Sequence, residues 1–183
     1  MDIQKVDSRT AFATKKHLAE TLKKLMREQK FSKITVSSLV EAAGVNRKTF
    51  YYHFKNTSEL LAWMFGQEVF LKLEGYNLSA DYETALNFIM DYLEKNRVLI
   101  KSATDSIGWS EIRKFIYDDL HQVMLRLVKT AVPDEPEDYQ EIAAEFYSEA
   151  MAGMLLRWID DPVEYDRAEL LGYFKRLFGQ FLR

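Results

Sequence analysis

No cysteine occurs among the 183 residues. Disulfides and thiolate metal sites are thereby excluded, and a reducing compartment makes no difference to the chain. Glycine and proline are scarce, at 7 and 3, too few for a β fold that needs a turn every few residues. No apolar run approaches the roughly 18 to 20 residues that span a bilayer, and the opening Met1-Asp2-Ile3-Gln4-Lys5 lacks the apolar stretch of a signal peptide. A soluble cytoplasmic protein with no membrane contact is expected. Nothing resembles a nucleotide loop, a nucleophile elbow or a metal pair, and His17 and His121 lie far apart with no metal-ligand spacing. The expectation is no enzyme, no metal and no cofactor.

Apolar side chains are plentiful: 48% of residues are hydrophobic and 14% aromatic, enough for a substantial core and against disorder. Charge is unevenly placed behind an overall −3. Residues 1–60 hold 12 Lys or Arg against 6 Asp or Glu, a net of +6, while the remainder holds 13 against 22, a net of −9. An asymmetry of this kind suggests an N-terminal third that meets a polyanion. A solvated basic surface is the other reading of the charge alone.

Helical periodicity runs through nearly the whole chain. Leu18, Leu22, Leu25 and Met26 fall on one stripe of a helix from about 8 to 29, with Lys15, Lys16, Lys23, Lys24 and Arg27 on the other side as a solvated, attracting face. Val36, Leu39, Val40 and Ala43 make a second, short helix with Thr35 as its N-cap, and Gly44 ends it. Asn46 caps a third helix over 47–54, and Asn56 with Glu59 resembles a capping box opening a fourth. Later helices are expected at 81–99, 101–107, 109–132, 136–159 and 162–182. The fold class is all-α: a three-helix, helix-turn-helix domain over 1–56, then a helical bundle over 57–183, about nine helices together.

The third helix has two unlike faces. At about 100° per residue from Arg47, Lys48, Tyr51 and Tyr52 fall between about 40° and 140°, whereas Phe50 and Phe54 fall near 300° and 340°. One face is aromatic and suited to packing; the other carries two cations and two phenols. Arg or Lys can donate to guanine O6 and N7, and Tyr can reach phosphates or thymine methyls.

The run Ile34-Thr35-Val36-Ser37-Ser38-Leu39-Val40-Glu41-Ala42-Ala43-Gly44-Val45-Asn46-Arg47-Lys48-Thr49-Phe50-Tyr51-Tyr52-His53-Phe54-Lys55 resembles the DNA-binding signature of TetR-family regulators, with Thr49 to Phe54 its strongest part. The likeness covers about residues 8–70. It implies a dimeric repressor that binds double-stranded DNA, whose C-terminal helices bind a small effector and whose last two helices pair across the dimer axis. Carried onto matching positions, Arg47, Lys48 and Tyr51 meet bases, and Thr35, Thr49, Tyr52, His53 and Lys55 meet phosphates. Thr57 stands where the family often has a lysine, leaving helix N-terminal amides and a hydroxyl as donors there. His53 also reads as a core or capping histidine, and Tyr52 as packing against the fourth helix.

Behind this segment the chain is acidic and aromatic. Phe146, Ala150, Gly153, Met154 and Trp158, with Leu170, Phe174, Leu177, Phe178 and Phe181, give two helices that are hard to bury in one small bundle, and a four-helix dimer interface would cover them. Ordinary core is the alternative. Trp63, Phe88, Tyr92, Trp109, Phe115, Tyr117, Met124 and Tyr147 are candidates for an effector cavity, again against a core reading. The pattern Phe146-Tyr147, Gly153 and Trp158-Ile159 is similar to the branch that includes dihydroxyacetone-kinase regulators, which implies control by a protein partner as an alternative to a small molecule. The function expected is a sequence-specific DNA-binding regulator, a repressor under effector control through the fourth helix. The alternative is a helical protein-interaction module or co-regulator.

Overall fold

Short-range hydrogen bonds set the helix ends near the N-terminus, and long-range packing sets the rest. In the computed structural model, which describes residues 3–73, 75–161 and 166–181, nine α-helices follow one another: α1 (Ile3–Glu28), α2 (Val36–Ala43), α3 (Arg47–His53), α4 (Thr57–Leu73), α5 (Leu78–Lys95), α6 (Arg97–Ile107), α7 (Trp109–Ala131), α8 (Glu137–Asp160) and α9 (Arg167–Phe181). A 3-10 turn at Phe31–Lys33 separates α1 from α2.

Thr35 caps α2 reciprocally. Its hydroxyl accepts from the Ser38 amide at 3.1 Å, and the Ser38 hydroxyl accepts from the Thr35 amide at 3.1 Å, so two orphan amides find partners. Gly44 takes φ 64°, a left-handed conformation that a side chain resists. The Asn46 side chain then accepts the Thr49 amide at 2.8 Å and opens α3. At α4 the Asn56 side chain accepts from Glu59 N at 2.8 Å, while the Glu59 carboxylate reaches one residue further back than a capping box requires, to Lys55 N at 2.5 Å.

Several boundaries differ from the sequence expectation, α1 opening already at Ile3 and α5 at Leu78. The break expected near residue 100 falls at Asn96, whose buried side chain donates to the Tyr92 carbonyl at 2.8 Å. Helix α6 therefore starts at Arg97, and Val98, apolar in sequence, stands 85% exposed. The last helix was expected to run from Pro162 to Leu182; both lie outside the described residues, and α9 is described from Arg167.

One contiguous apolar core runs from Leu18 and Leu22 of α1, through Phe50 and Leu60, to Ile159 of α8 and Leu170 of α9. Helix α4 packs on both α1 and α7, and α7 packs along α8. The helix-turn-helix is thus seated on α1 and α4. Two Ser hydroxyls on α6 reach the same region: Ser102 accepts from the Phe31 amide at 3.3 Å and Ser106 from the Ser32 amide at 3.1 Å.

Phe50→Ala should lower the stability of the full chain by about 3–5 kcal/mol, as a large ring removed from a closed core does. Asn46→Ala and Gly44→Ala should each cost about 1 kcal/mol, by loss of a cap and by left-handed strain respectively. Urea denaturation of the three variants checks this ranking, and a Phe50 loss no larger than the cap losses would contradict it.

Candidate DNA interface and interior cavity

The turn between α2 and α3 holds the surface that the sequence singled out. Phe50 is fully buried and Phe54 nearly so, which anchors α3 from below. On its other side Arg47 and Lys48 are exposed, Tyr51 is 57% exposed and Tyr52 78% exposed. Tyr52 therefore does not pack against α4. Its ring instead meets the His53 ring edge-on at 4.9 Å, and Tyr51 leans edge-on against Phe50 at 5.5 Å. The Arg47 guanidinium donates to the Ser37 hydroxyl of α2, a contact that fixes its direction across the outer face of the helix pair.

Thr35 and Lys55 are exposed, while Thr49, His53 and Thr57 are half-buried. The Thr49 hydroxyl donates to the Asn46 side chain at 3.1 Å, and the Thr35 hydroxyl serves the α2 cap. Burial, and after it the nearby Lys15 ammonium, hold the His53 imidazole below its ordinary pKa. His17 adds a tie that the sequence did not reveal. Its Nε2 lies 2.8 Å from the Ala43 carbonyl, so α1 meets an orphan acceptor at the end of α2. Signals for this bond are absent from local spacing, because 26 residues separate the partners.

Two lysines expected on a solvated face are engaged. The Lys15 ammonium sits 5.8 Å from the Phe54 ring centre and 5.9 Å from that of Trp63. Lys23 forms a 2.6 Å ion pair with Glu68 of α4.

The eight aromatic and Met residues expected around an effector cavity do not converge. Trp63 lies under the helix-turn-helix, 5.9 Å from both Phe12 and Phe54. With Phe115 it also borders a groove between α4 and α7. Trp109 borders a second groove beside Arg113 and Arg157, and Met124 a small apolar gap beside Phe178. Phe88, Tyr117 and Tyr147 line none of these, their rings being half-buried elsewhere. Tyr92 alone of the eight reaches the apolar cavity, of about 70 Å³, bordered by α4 to α8 and lined by residues such as Phe65, Val69, Ile100, Ile116 and Leu155. The Tyr92 hydroxyl donates to Glu68 at 2.8 Å. Burial first, then the Glu68 charge, push its phenol pKa far up, so it remains a donor at any physiological pH.

The residues expected at a dimer interface also separate. Trp158, Leu170, Phe174 and Phe178 are buried within the subunit's own core, where α9 lies along α5; they are not surface. Phe146 and Leu177 are 67% and 53% exposed, Ala150 and Gly153 are exposed, and Met154 is half-buried. The side chain of Phe181 lies outside the described residues. The sequence reading missed Tyr139 and Tyr173, which are also exposed, and Ile142 of α8 is exposed as well. Spaced by three and four, Tyr139, Ile142, Phe146, Ala150 and Gly153 form one seam along α8.

Comparison with known proteins agrees with this architecture. Residues 12–64 match the family described as bacterial regulatory proteins, tetR family, and residues 81–180 match a transcriptional regulator C-terminal region. The chain is 31% identical over 96 residues to the HTH-type dhaKLM operon transcriptional activator DhaS of Lactococcus lactis subsp. lactis (strain IL1403), covering 51% of this chain and 50% of that protein. It is 23% identical over 133 residues to the transposon Tn10 TetC protein of Escherichia coli, covering 64% and 66%. The matched stretches thus span about half to two thirds of those relatives. A solved structure of the dihydroxyacetone kinase operon activator DhaS superposes with a TM-score of 0.59 over 92% of both chains at 21% identity, a likeness of fold. Among the described residues no helix is long and apolar enough to cross a membrane. With the two family matches together spanning most of its length, the chain belongs to the TetR family and is a DNA-binding transcriptional regulator.

Proposed function

We propose that the chain binds its operator as a homodimer, reads base edges with Arg47, Lys48 and Tyr51, and represses transcription under the control of an effector held by its C-terminal helices. The observation that carries this reading is the division of α3. Its phenylalanines are spent on the core, and its cations and phenols project from the surface, as a helix lying in a major groove requires. Thr35, Thr49, Tyr52, His53 and Lys55 surround that face and would meet phosphates, setting register without reading sequence. The helix-turn-helix of 1–56 is the reading head, and the helices from α4 onward form the control and dimerisation body.

Dimerisation is supported by the α8 seam. A second copy laid against Tyr139, Ile142, Phe146, Ala150 and Gly153, with Tyr173 and Leu177 of α9, would remove from water an apolar row that the subunit itself leaves uncovered. The small residues in the middle would let the two α8 helices approach closely. Activation is a second reading, supported by the word activator in the name of the Lactococcus relative. Operator position separates the two outputs: a dimer over the promoter blocks polymerase, and one upstream can recruit it. A reporter carrying the chain's selected DNA site in its native position gives lower expression under repression and higher under activation.

Arg47→Ala should cost about 1–3 kcal/mol on the cognate site and flatten base preference at the position it reads; equal loss on cognate and random DNA in anisotropy titrations would refute base reading. Phe146→Glu should turn a dimer into a monomer in analytical ultracentrifugation, and a persistent dimer would remove α8 from the interface. A phosphate beside His53 would oppose the forces that depress its pKa, so DNA binding would raise it and take up a proton. Affinity should then strengthen as pH falls and weaken as pH rises through the pKa of the complex, with this component absent from His53→Gln. An identical pH profile for both proteins would contradict the phosphate role.

A further inference from the structure

Arg47 reaches back across the turn between α2 and α3. It is the first residue of α3, and its Nη2 donates to the Oγ of Ser37, the second residue of α2. Both side chains are exposed, so burial does not force the contact. What sets the two groups opposite each other is the pair of caps: the Thr35–Ser38 box fixes the start of α2, and Asn46 fixes the start of α3. The two neighbouring serines divide the work. Ser38 closes the cap, its hydroxyl accepting the Thr35 amide and donating to the Thr35 carbonyl at 3.0 Å. The Ser37 hydroxyl has no part in that cap; among the described residues Arg47 is its partner.

The chemistry of this pair suits a reader of base edges. A free arginine side chain samples many rotamers, and fixing it on a base opposes binding. One that is already held in a single direction loses less on docking. One N–H of the guanidinium goes to Ser37, and the rest of the planar fork remains for the O6 and N7 of a guanine. A hydroxyl is a neutral acceptor, so it orients the cation without cancelling its charge, as a carboxylate in its place would. In open water such a bond contributes little. In a groove from which water is excluded it strengthens, so the hold is firmest where the base is read.

We propose that Ser37 is a positioning residue for sequence recognition: its hydroxyl aims the Arg47 guanidinium, and the pair, not Arg47 alone, selects guanine at one base pair of each half-site. Arg47 touches the base, and Ser37 acts through Arg47. This inference rests on the base-reading role proposed above for Arg47.

Ser37→Ala removes the acceptor, and alanine is well tolerated at an exposed helical position. In the protein free of DNA, 15N relaxation at the Arg47 Nε should report a more mobile side chain in Ser37→Ala than in the native chain. Ser37→Thr, which keeps the hydroxyl, should restore the native value. For recognition the probe is duplex DNA selected from a random pool by the full chain, with each guanine in turn replaced by 7-deazaguanine, which lacks the N7 acceptor. At one guanine per half-site the replacement should weaken the native chain and Ser37→Thr about three- to tenfold and leave Arg47→Ala unaffected. Ser37→Ala should lose most of that response, while its affinity for random DNA barely changes. A Ser37→Ala chain that responds to 7-deazaguanine as fully as the native one, or that weakens equally on selected and random DNA, would overturn the inference. Unchanged Arg47 mobility would overturn it too. If no guanine replacement separates the native chain from Arg47→Ala, the base-reading role itself fails and takes this inference with it, an outcome distinct from a failure at Ser37 alone.

Discussion

A helix of seven residues does not hold together in water, since the cost of its first turn is hardly recovered over so short a length. Helix α3 exists because Phe50 and Phe54 are drawn beneath it into the core. The other local features orient what that burial creates. Asn46 starts the helix, Gly44 turns the chain into it, and His17 of α1 grips the Ala43 carbonyl just before the turn. With one face committed in this way, the opposite face carries Arg47, Lys48, Tyr51 and Tyr52 into solvent.

The same burial links the head to the body. Phe54 stacks edge-on with Trp63 of α4, and Trp63 with Phe12 of α1, so α3 cannot tilt without moving the aromatic contact below it. About three turns further along the same face of α1, Lys23 meets Glu68, and the α6 hydroxyls of Ser102 and Ser106 hold the amides of the turn after α1. The head is thus seated on three independent polar and aromatic contacts, each made to a helix that also walls the apolar interior or adjoins one that does. Small rearrangements within the bundle have a short physical route to α3.

Features that depend on neighbours in sequence were legible from sequence. Thr35, Gly44 and Asn46 announced the ends of α2 and α3, and the wheel of α3 separated Phe50 and Phe54 from the polar residues, because caps and periodicity act over four residues or fewer. Features that depend on distant partners were not. Lys23 looked like one of a row of solvated lysines, since nothing local points to Glu68, 45 residues away. The seven aromatic candidates and Met124 gave no sign of where their side chains would meet, and of the eight only Tyr92 reached the apolar cavity bordered by α4 to α8. In α9, apolar spacing alone could not tell Leu170, Phe174 and Phe178, which face inward, from Leu177, which faces out. Asn96 was missed as a helix end because Val98 beyond it continued the apolar pattern.

The central claim is that two copies of α3 enter successive major grooves on one side of a duplex. Guanine N7 methylation protection, on DNA selected from a random pool by the full-length protein, tests it most directly. The account predicts two protected half-sites related by a dyad, their centres one helical turn or a whole number of turns apart. A single protected site, or even protection along the whole fragment, would contradict it.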